Sequence, residues 1–277
     1  MRDGISPSEY EDFRRFLEQA CGIVLGESKQ YLVSSRLGRL QQELEVANLA
    51  DLLERIKHDR SGALRARVVD AMTTNETYWF RDQHPFAILS ETLIPALVEQ
   101  KTRKIRIWSA ACSSGQEPYS IAMSLLEHFS AKMRAVPDIE IVATDISPSV
   151  LKQAASGCYD ELAAARGLSP ERRQRFFVAD GKNWRLKDEV RRLVKFQEVN
   201  LMKNFTGFGK FHVIFCRNVL IYFATDLKMD ILKRLGESLE PGGHLFLGGS
   251  ESMATYSNAF ETVRFKSGLA YRVKPKA

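Results

Sequence analysis

The chain has 277 residues, of which 44% are apolar and 27% charged, with a formal net charge of +6. That balance suits a globular protein with a buried core, and the length suits a catalytic domain with a small companion; an intrinsically disordered chain is excluded. No apolar run reaches the roughly 20 residues that cross a bilayer, and Cys21, Cys112, Cys158 and Cys216 lack CxxC spacing, so they are expected as buried free thiols rather than a zinc site or a disulfide framework.

The opening Met1-Arg2-Asp3-Gly4 runs directly into a polar helix start, which is read as the absence of a signal peptide and a cytoplasmic location. Ser6-Pro7-Ser8-Glu9 has the form of a capping box with a first-turn proline, followed by Tyr10, Phe13, Leu17 and Ala20 at helical spacing up to a stop at Gly22. A second helix is expected from Ser28 to Val46. Val33, Leu37, Leu40 and Leu44 form its apolar stripe, and Arg36 and Arg39 fall off that stripe, facing water or a partner. Asn48 caps a third helix bearing Leu49, Leu52, Leu53 and Ile56, and Leu64, Val68 and Met72 mark a fourth. Nothing in these first 72 residues looks catalytic.

After Met72, strand-like apolar runs alternate with amphipathic helices, the pattern of an α/β domain. Lys104 to Trp108 is the first strand, leading through a turn of small residues to a helix near Pro118, and Ile139 to Asp145 is the second. Phe211 to Phe215, His244 to Leu247, and a pair around Phe260–Phe265 and Leu269–Val273 complete a doubly wound sheet closed by a hairpin. Between Phe176 and Val199, Asp180-Gly181 separates two runs of strand formers, which suggests a small antiparallel insertion.

Four segments carry groups suited to ligand chemistry. The turn Ala110 to Ser120 lets a ligand approach the backbone closely, and it lacks a full G-x-G-x-x-G, which points away from a pyrophosphate and toward a ligand without phosphate. Asp145, ending the second strand, can accept hydrogen bonds from both hydroxyls of a ribose; it also stands where it can cap the helix beginning at Ser147-Pro148. Thr73 to Asp82, dense in hydrogen-bonding and aromatic groups, lies between the two expected domains, where clefts form. Cys216 to Phe223 follows a strand and puts Arg217 and Asn218 at the ligand-binding edge, with Tyr222 close behind.

In this order along nearly the whole chain, these segments, with the Asn200-Leu201 pair, closely resemble the CheR family of chemotaxis receptor methyltransferases. The resemblance implies a Rossmann-like class I methyltransferase domain dependent on S-adenosylmethionine, a small all-helical N-terminal domain and a small antiparallel β-subdomain. It divides the chain into residues 1–72, a linker over 73–90 and a catalytic domain over 91–277 with the β-subdomain near 172–198. It implies that Asn75, Thr77, Arg81, Glu117, Asp145, Asn200, Leu201, Arg217 and Asn218 contact S-adenosylmethionine, with Arg81 and Tyr222 beside the transferred methyl and no metal. It further implies a glutamate methyl ester and S-adenosylhomocysteine as products and methyl-accepting chemotaxis receptors as substrates, whose C-terminal peptide some members bind at the β-subdomain.

Arg36 and Arg39 are the expected contacts to the acidic receptor bundle, and a working monomer recruited to membrane receptor arrays is expected, with neither nucleic acid nor membrane insertion. Between Arg166 and Lys195 ten Lys/Arg meet four Asp/Glu, an excess equal to the whole net charge of +6. This stretch is read as a contact surface for an acidic partner or as a solvated, locally balanced face. With a pI near 9.1 it also supports a competing reading as a nucleic-acid methyltransferase. A catalytically inactive module that senses S-adenosylmethionine is the alternative of a different class.

Overall fold

The computed structural model describes residues 5–253 and 256–274, so the Met1 to Gly4 opening lies outside it. Helix α1 (Pro7–Cys21) starts in the expected capping box, with Ser6 and Glu9 each accepting the other's backbone N–H, and ends at left-handed Gly22. Helices α2 (Gln30–Glu43), α3 (Leu49–His58) and α4 (Ala63–Met72) complete a bundle whose core contains Phe13, Leu17, Val33, Leu37, Leu52 and Val68. Helix α2 is shorter than Ser28 to Val46 because Lys29, at its N-cap, has no capping side-chain bond, and Leu44 already ends it.

A linker leads to α5 (His84–Ile88), which passes through a π turn, Leu89–Leu93, into α6 (Ile94–Glu99). The α/β part then runs β1 (Ile105–Ala110), α7 (Gln116–Ala131), β2 (Ile139–Asp145), α8 (Pro148–Ser156), β3 (Cys158–Asp160), α9 (Glu161–Ala165), α10 (Pro170–Phe176), β4 (Phe177–Asp180), β5 (Asn183–Leu186), α11 (Asp188–Arg191) and β6 (Val194–Glu198). It closes with β7 (Phe211–Cys216), α12 (Thr225–Glu237), β8 (Leu239–Phe246), β9 (Phe260–Phe265) and β10 (Gly268–Val273). Seven strands form one sheet in the order β6-β2-β1-β7-β8-β10-β9. The first five are parallel, and the hairpin β9–β10 joins antiparallel. Both faces are covered: Phe86, Leu89, Tyr119 and Phe215 pack on one side, and Trp108, Phe205, Ile214 and Ile231 on the other. This is a doubly wound α/β sheet closed by an antiparallel hairpin, as expected.

The antiparallel insertion differs from its expected outline. Its three strands are β3-β5-β4, so it begins at Cys158, and Val194–Glu198 leaves it to pair with β2 at the edge of the main sheet. The sequence does not separate the two strand-rich runs here, because short strands in either sheet share the same residue types. Cys158, in this insertion, is half-exposed, unlike the other three cysteines, which are buried as expected.

The basic stretch also reads differently once folded. Six of its cations are paired: Arg166 with Glu76, Arg172 with Glu127, Arg173 with Glu161, Arg185 with Asp180, Arg191 with Asp188 and Lys195 with Glu140. Four of those carboxylates come from outside the stretch, which is why its composition alone overstates its free charge. The charge excess that suggested nucleic acid is thus largely matched within the chain.

Glu140 on β2 ties strands together at the end of the sheet remote from Asp145. It takes Lys195 at 2.7 Å, Arg106 at 2.9 Å and Lys104 at 3.4 Å, with 14% of its side chain exposed. Hydrogen bonds from Lys195 and then Arg106 pull its carboxyl down to about 2, outweighing the cost of partial burial. A depressed folded pKa gives stability that is present above the ordinary value of 4.5 and lost as the pH falls toward 2. Glu140→Gln is therefore expected to cost about 1–3 kcal/mol at pH 7. In denaturant titrations at a series of pH values, the gap between wild type and variant should close progressively below pH 4.5; a gap independent of pH would contradict the assignment.

Candidate functional site

The carboxyl ends of β1, β2, β6 and β7 open into a cleft of about 920 Å³, part of it continuous with solvent. Its floor begins with the turn after β1. Ala111 and Ser113 hold φ of 58° and 51°, and Gly115 holds 93°, so the chain reverses within a few residues. At Gly115 a side chain would also collide, since a Cβ would stand 2.9 Å from that of Ala154 and 3.1 Å from the Tyr159 hydroxyl. The turn is fixed by Cys112 N–H donating to Thr144 O and by Ser113 N–H donating to Asp145 Oδ2 at 2.8 Å.

Asp145 is buried, and Ser147 N–H donates to its Oδ1 at 3.0 Å. Burial pushes its carboxyl pKa up, and the backbone N–H groups of Ser147 and Ser113 oppose that rise. Ser147, not Asp145, caps α8, through its hydroxyl. An ionised carboxylate offers about four lone-pair sites, so after two backbone bonds Asp145 retains acceptor capacity toward the cleft that it lines.

The opposite wall is organised by Arg217, whose side chain is 1% exposed. Its Nη1 donates to Glu117 Oε2 at 2.8 Å, and its Nη2 donates to Asp82 Oδ2 at 2.6 Å and to Arg81 O at 2.9 Å. Glu117 sits in the first turn of α7, where the helix dipole favours an anion, and Ser109 Oγ donates to its other oxygen at 2.8 Å. The linker that Arg217 grips has left-handed backbone at Phe80, Asp82 and Gln83, with φ of 52°, 65° and 48°. Phe80 N–H is held by Ser120 Oγ at 3.0 Å. Arg81 itself lies over the Tyr78 ring at 5.4 Å and donates to Glu76 O at 3.3 Å.

Asn75, Thr77, Arg81, Glu117, Asp145, Asn200, Leu201, Arg217, Asn218 and Tyr222 all line this one cleft. Several already have partners. Asn200 donates to Ala20 O at 3.0 Å and accepts from Met202 N–H at 2.9 Å; Asn75 donates to Thr73 Oγ1 at 3.0 Å, and its carbonyl accepts from Ser113 Oγ at 2.9 Å.

The remaining expected residues stand elsewhere. Arg36 does not simply face water or a partner: its guanidinium donates to Met72 O at 2.6 Å, Thr73 O at 3.0 Å and Thr74 Oγ1 at 3.0 Å, pinning the start of the linker. The carbonyls at the end of α4 lack intrahelical donors and recruit it. Arg39 is 90% exposed and pairs with Glu43 at 2.9 Å.

Sequence reasoning also missed the contribution of the helical bundle. Cys21 and Ile23 line the cleft, Val24 N–H donates to Tyr222 O at 2.9 Å, and Asp70 accepts from the hydroxyls of Ser147 and Ser149. Ile146, Val199, Val219 and Phe223 supply apolar wall without any distinguishing pattern. Asp82 stood inside a segment already rich in polar groups, which was the signal available for it.

The donor set fits an adenosyl sulfonium ligand. A buried carboxylate with spare acceptor capacity suits a ribose, Val199 and Leu201 offer an apolar side to a base, and the cleft's most buried cation, Arg217, is already matched by two carboxylates, leaving it poorly suited to a pyrophosphate.

A family model described as "CheR methyltransferase, SAM binding domain" matches residues 75–269, and one described as "CheR methyltransferase, all-alpha domain" matches residues 8–73. The chain is 53% identical over 272 residues to a chemotaxis protein methyltransferase of Vibrio parahaemolyticus serotype O3:K6, covering 98% of both chains. It is 48% identical over 270 residues to chemotaxis protein methyltransferase 1 of Pseudomonas aeruginosa, covering 96% of this chain and 98% of that one.

Removing the Arg217 guanidinium strands Glu117 beside a cleft that no longer neutralises it. Arg217→Met is expected to destabilise the fold by about 3 kcal/mol, read as a lower denaturant midpoint with an unchanged slope. Adding Glu117→Gln should recover part of that loss, and a variant as stable as the wild type would show that the pair carries no such weight.

Proposed function

Since the chain belongs to the CheR family of S-adenosylmethionine-dependent methyltransferases, we propose that it esterifies glutamate side chains of methyl-accepting chemotaxis receptors, as a protein-glutamate O-methyltransferase. The observation that carries this reading is the convergence of ten side chains, from the linker, the first turn of α7, the end of β2 and the segments after β6 and β7, on one cleft around Asp145. In this reading residues 1–72 are the helical domain, 73–90 the linker and 91–277 the catalytic domain.

When bound, S-adenosylmethionine supplies a methyl group carried on a sulfonium. Asp145 would hold the ribose, Val199, Asn200 and Leu201 the base, and Asn75, Thr77, Glu117, Arg217 and Asn218 the remaining polar groups. A glutamate carboxyl has an ordinary pKa near 4.3, so at neutral pH it arrives ionised and needs no general base. In keeping with this, no histidine is among the described residues lining the cleft.

Solvation of an anion opposes its loss of charge, and Ile23, Val219 and Phe223 give the cleft apolar wall against which a bound acceptor would lose part of its water. Arg81 and Tyr222 align the incoming carboxylate; such positioning supplies up to ~7–11 kcal/mol. Arg81 serves alignment rather than tight pairing, because binding the carboxylate strongly before reaction would stabilise the ground state.

Arg39, exposed on α2, is the better placed of the two arginines to meet an acidic receptor bundle, since Arg36 is occupied by the linker. The β-subdomain would receive a receptor C-terminal peptide where one is present. Among the described residues no helix is long and apolar enough to cross a membrane. The protein would work as a cytoplasmic monomer visiting receptor arrays.

The test is incubation with labelled S-adenosylmethionine and receptor-bearing membranes: label should enter the receptor and be released by mild base, as a carboxyl methyl ester is. Base-stable label, or label in added RNA, would overturn the reading. Asp145→Ala should weaken S-adenosylhomocysteine binding at least about tenfold, equivalent to ~1.4 kcal/mol, by calorimetry. Tyr222→Phe should lower turnover about tenfold or more while leaving that affinity within about twofold; normal turnover would remove its hydroxyl from the reaction.

A further inference from the structure

Glu251 lies in the loop after β8 and lines no part of the cleft, yet its carboxylate accepts three backbone N–H groups. Oε2 takes those of Gly248 and Asn218, each at 2.8 Å, and Oε1 takes that of Ile221 at 3.3 Å. Asn218 lines the cleft in a left-handed conformation, with φ of 60°, and Ile221 stands in the 3₁₀ turn Leu220–Tyr222 that carries Tyr222. The first N–H groups of such a turn lack intrahelical acceptors, and a carboxylate there satisfies one.

The loop also meets this segment with no space to spare. A Cβ at Gly248 would stand 2.5 Å from Asn218 Nδ2 and 2.8 Å from Glu251 Oε2. Glu251 is thus the charged tie between a loop on one strand end and the backbone that presents Asn218 and Tyr222 on the next.

We infer that Glu251 is a positioning residue for methyl transfer, holding the Asn218–Tyr222 turn so that Tyr222 meets the cleft in a single arrangement. This rests on the reading of Tyr222 as catalytic. Glu251→Gln separates the two halves of the tie. Its carbonyl oxygen still accepts from Gly248 and Asn218, while its amide NH₂ faces the Ile221 N–H as donor against donor.

The experiment compares wild type, Glu251→Gln, Tyr222→Phe and the double variant, measuring kcat and KM on receptor substrate and S-adenosylhomocysteine affinity. Glu251→Gln is expected to lower kcat about tenfold with affinity within about twofold, and to add little to Tyr222→Phe, because the two act as one unit. Glu251→Ala, losing all three bonds, should weaken S-adenosylhomocysteine binding as well. Wild-type kcat in Glu251→Gln, equal losses of kcat and affinity, or losses that multiply in the double variant would each overturn the inference while leaving an impaired Tyr222→Phe intact. Normal turnover in Tyr222→Phe would overturn the assignment of Tyr222, and this inference with it.

Discussion

A guanidinium withdrawn from water has to be met by anions and carbonyls in a fixed arrangement, and Arg217 draws three parts of the fold to one point to satisfy that need. It projects from the end of β7, Glu117 comes from the first turn of α7, and Asp82 with Arg81 O comes from the linker. With Ser120 holding Phe80 N–H, this charge balance holds the left-handed stretch from Phe80 to Gln83 against the sheet. The Arg81–Asp82 part of the linker is therefore placed by a side chain that is itself almost fully buried.

The other wall rests on Asp145, which works in the opposite manner. Among the described residues no cation pairs with it; backbone N–H groups from two neighbouring turns offset part of the cost of its burial. One side of the cleft is thus electrically settled and the other keeps an acceptor in reserve, an arrangement that suits a ligand with hydroxyls at one end and a charge at the other. In the proposed esterification no proton is transferred, so the protein's work would be to exclude water and to fix directions.

Much of this was readable from residue patterns because the physics involved is local. The capping box at Ser6, the stop at Gly22, the apolar stripes of the bundle and the strand ending in Asp145 each depend on residues adjacent in sequence. What escaped was long-range: Arg36 looked like an outward-facing cation until the free carbonyls of α4 were brought beside it. The edge strand Val194–Glu198 could not be told from the insertion before it, since only its pairing with β2 distinguishes them. Cys21 was expected only as a buried thiol and Ile23 carried no signal of its own; packing alone makes them cleft wall. The basic stretch followed the same logic, with its counter-charges scattered from Glu76 to Glu161.

Because Cys21 and Ile23 share a cavity with residues of the sheet, the helical bundle is a structural component of the candidate site. A ligand seated there touches both parts, so its binding energy also opposes their separation, and occupancy feeds into the protection of bundle amides against hydrogen exchange.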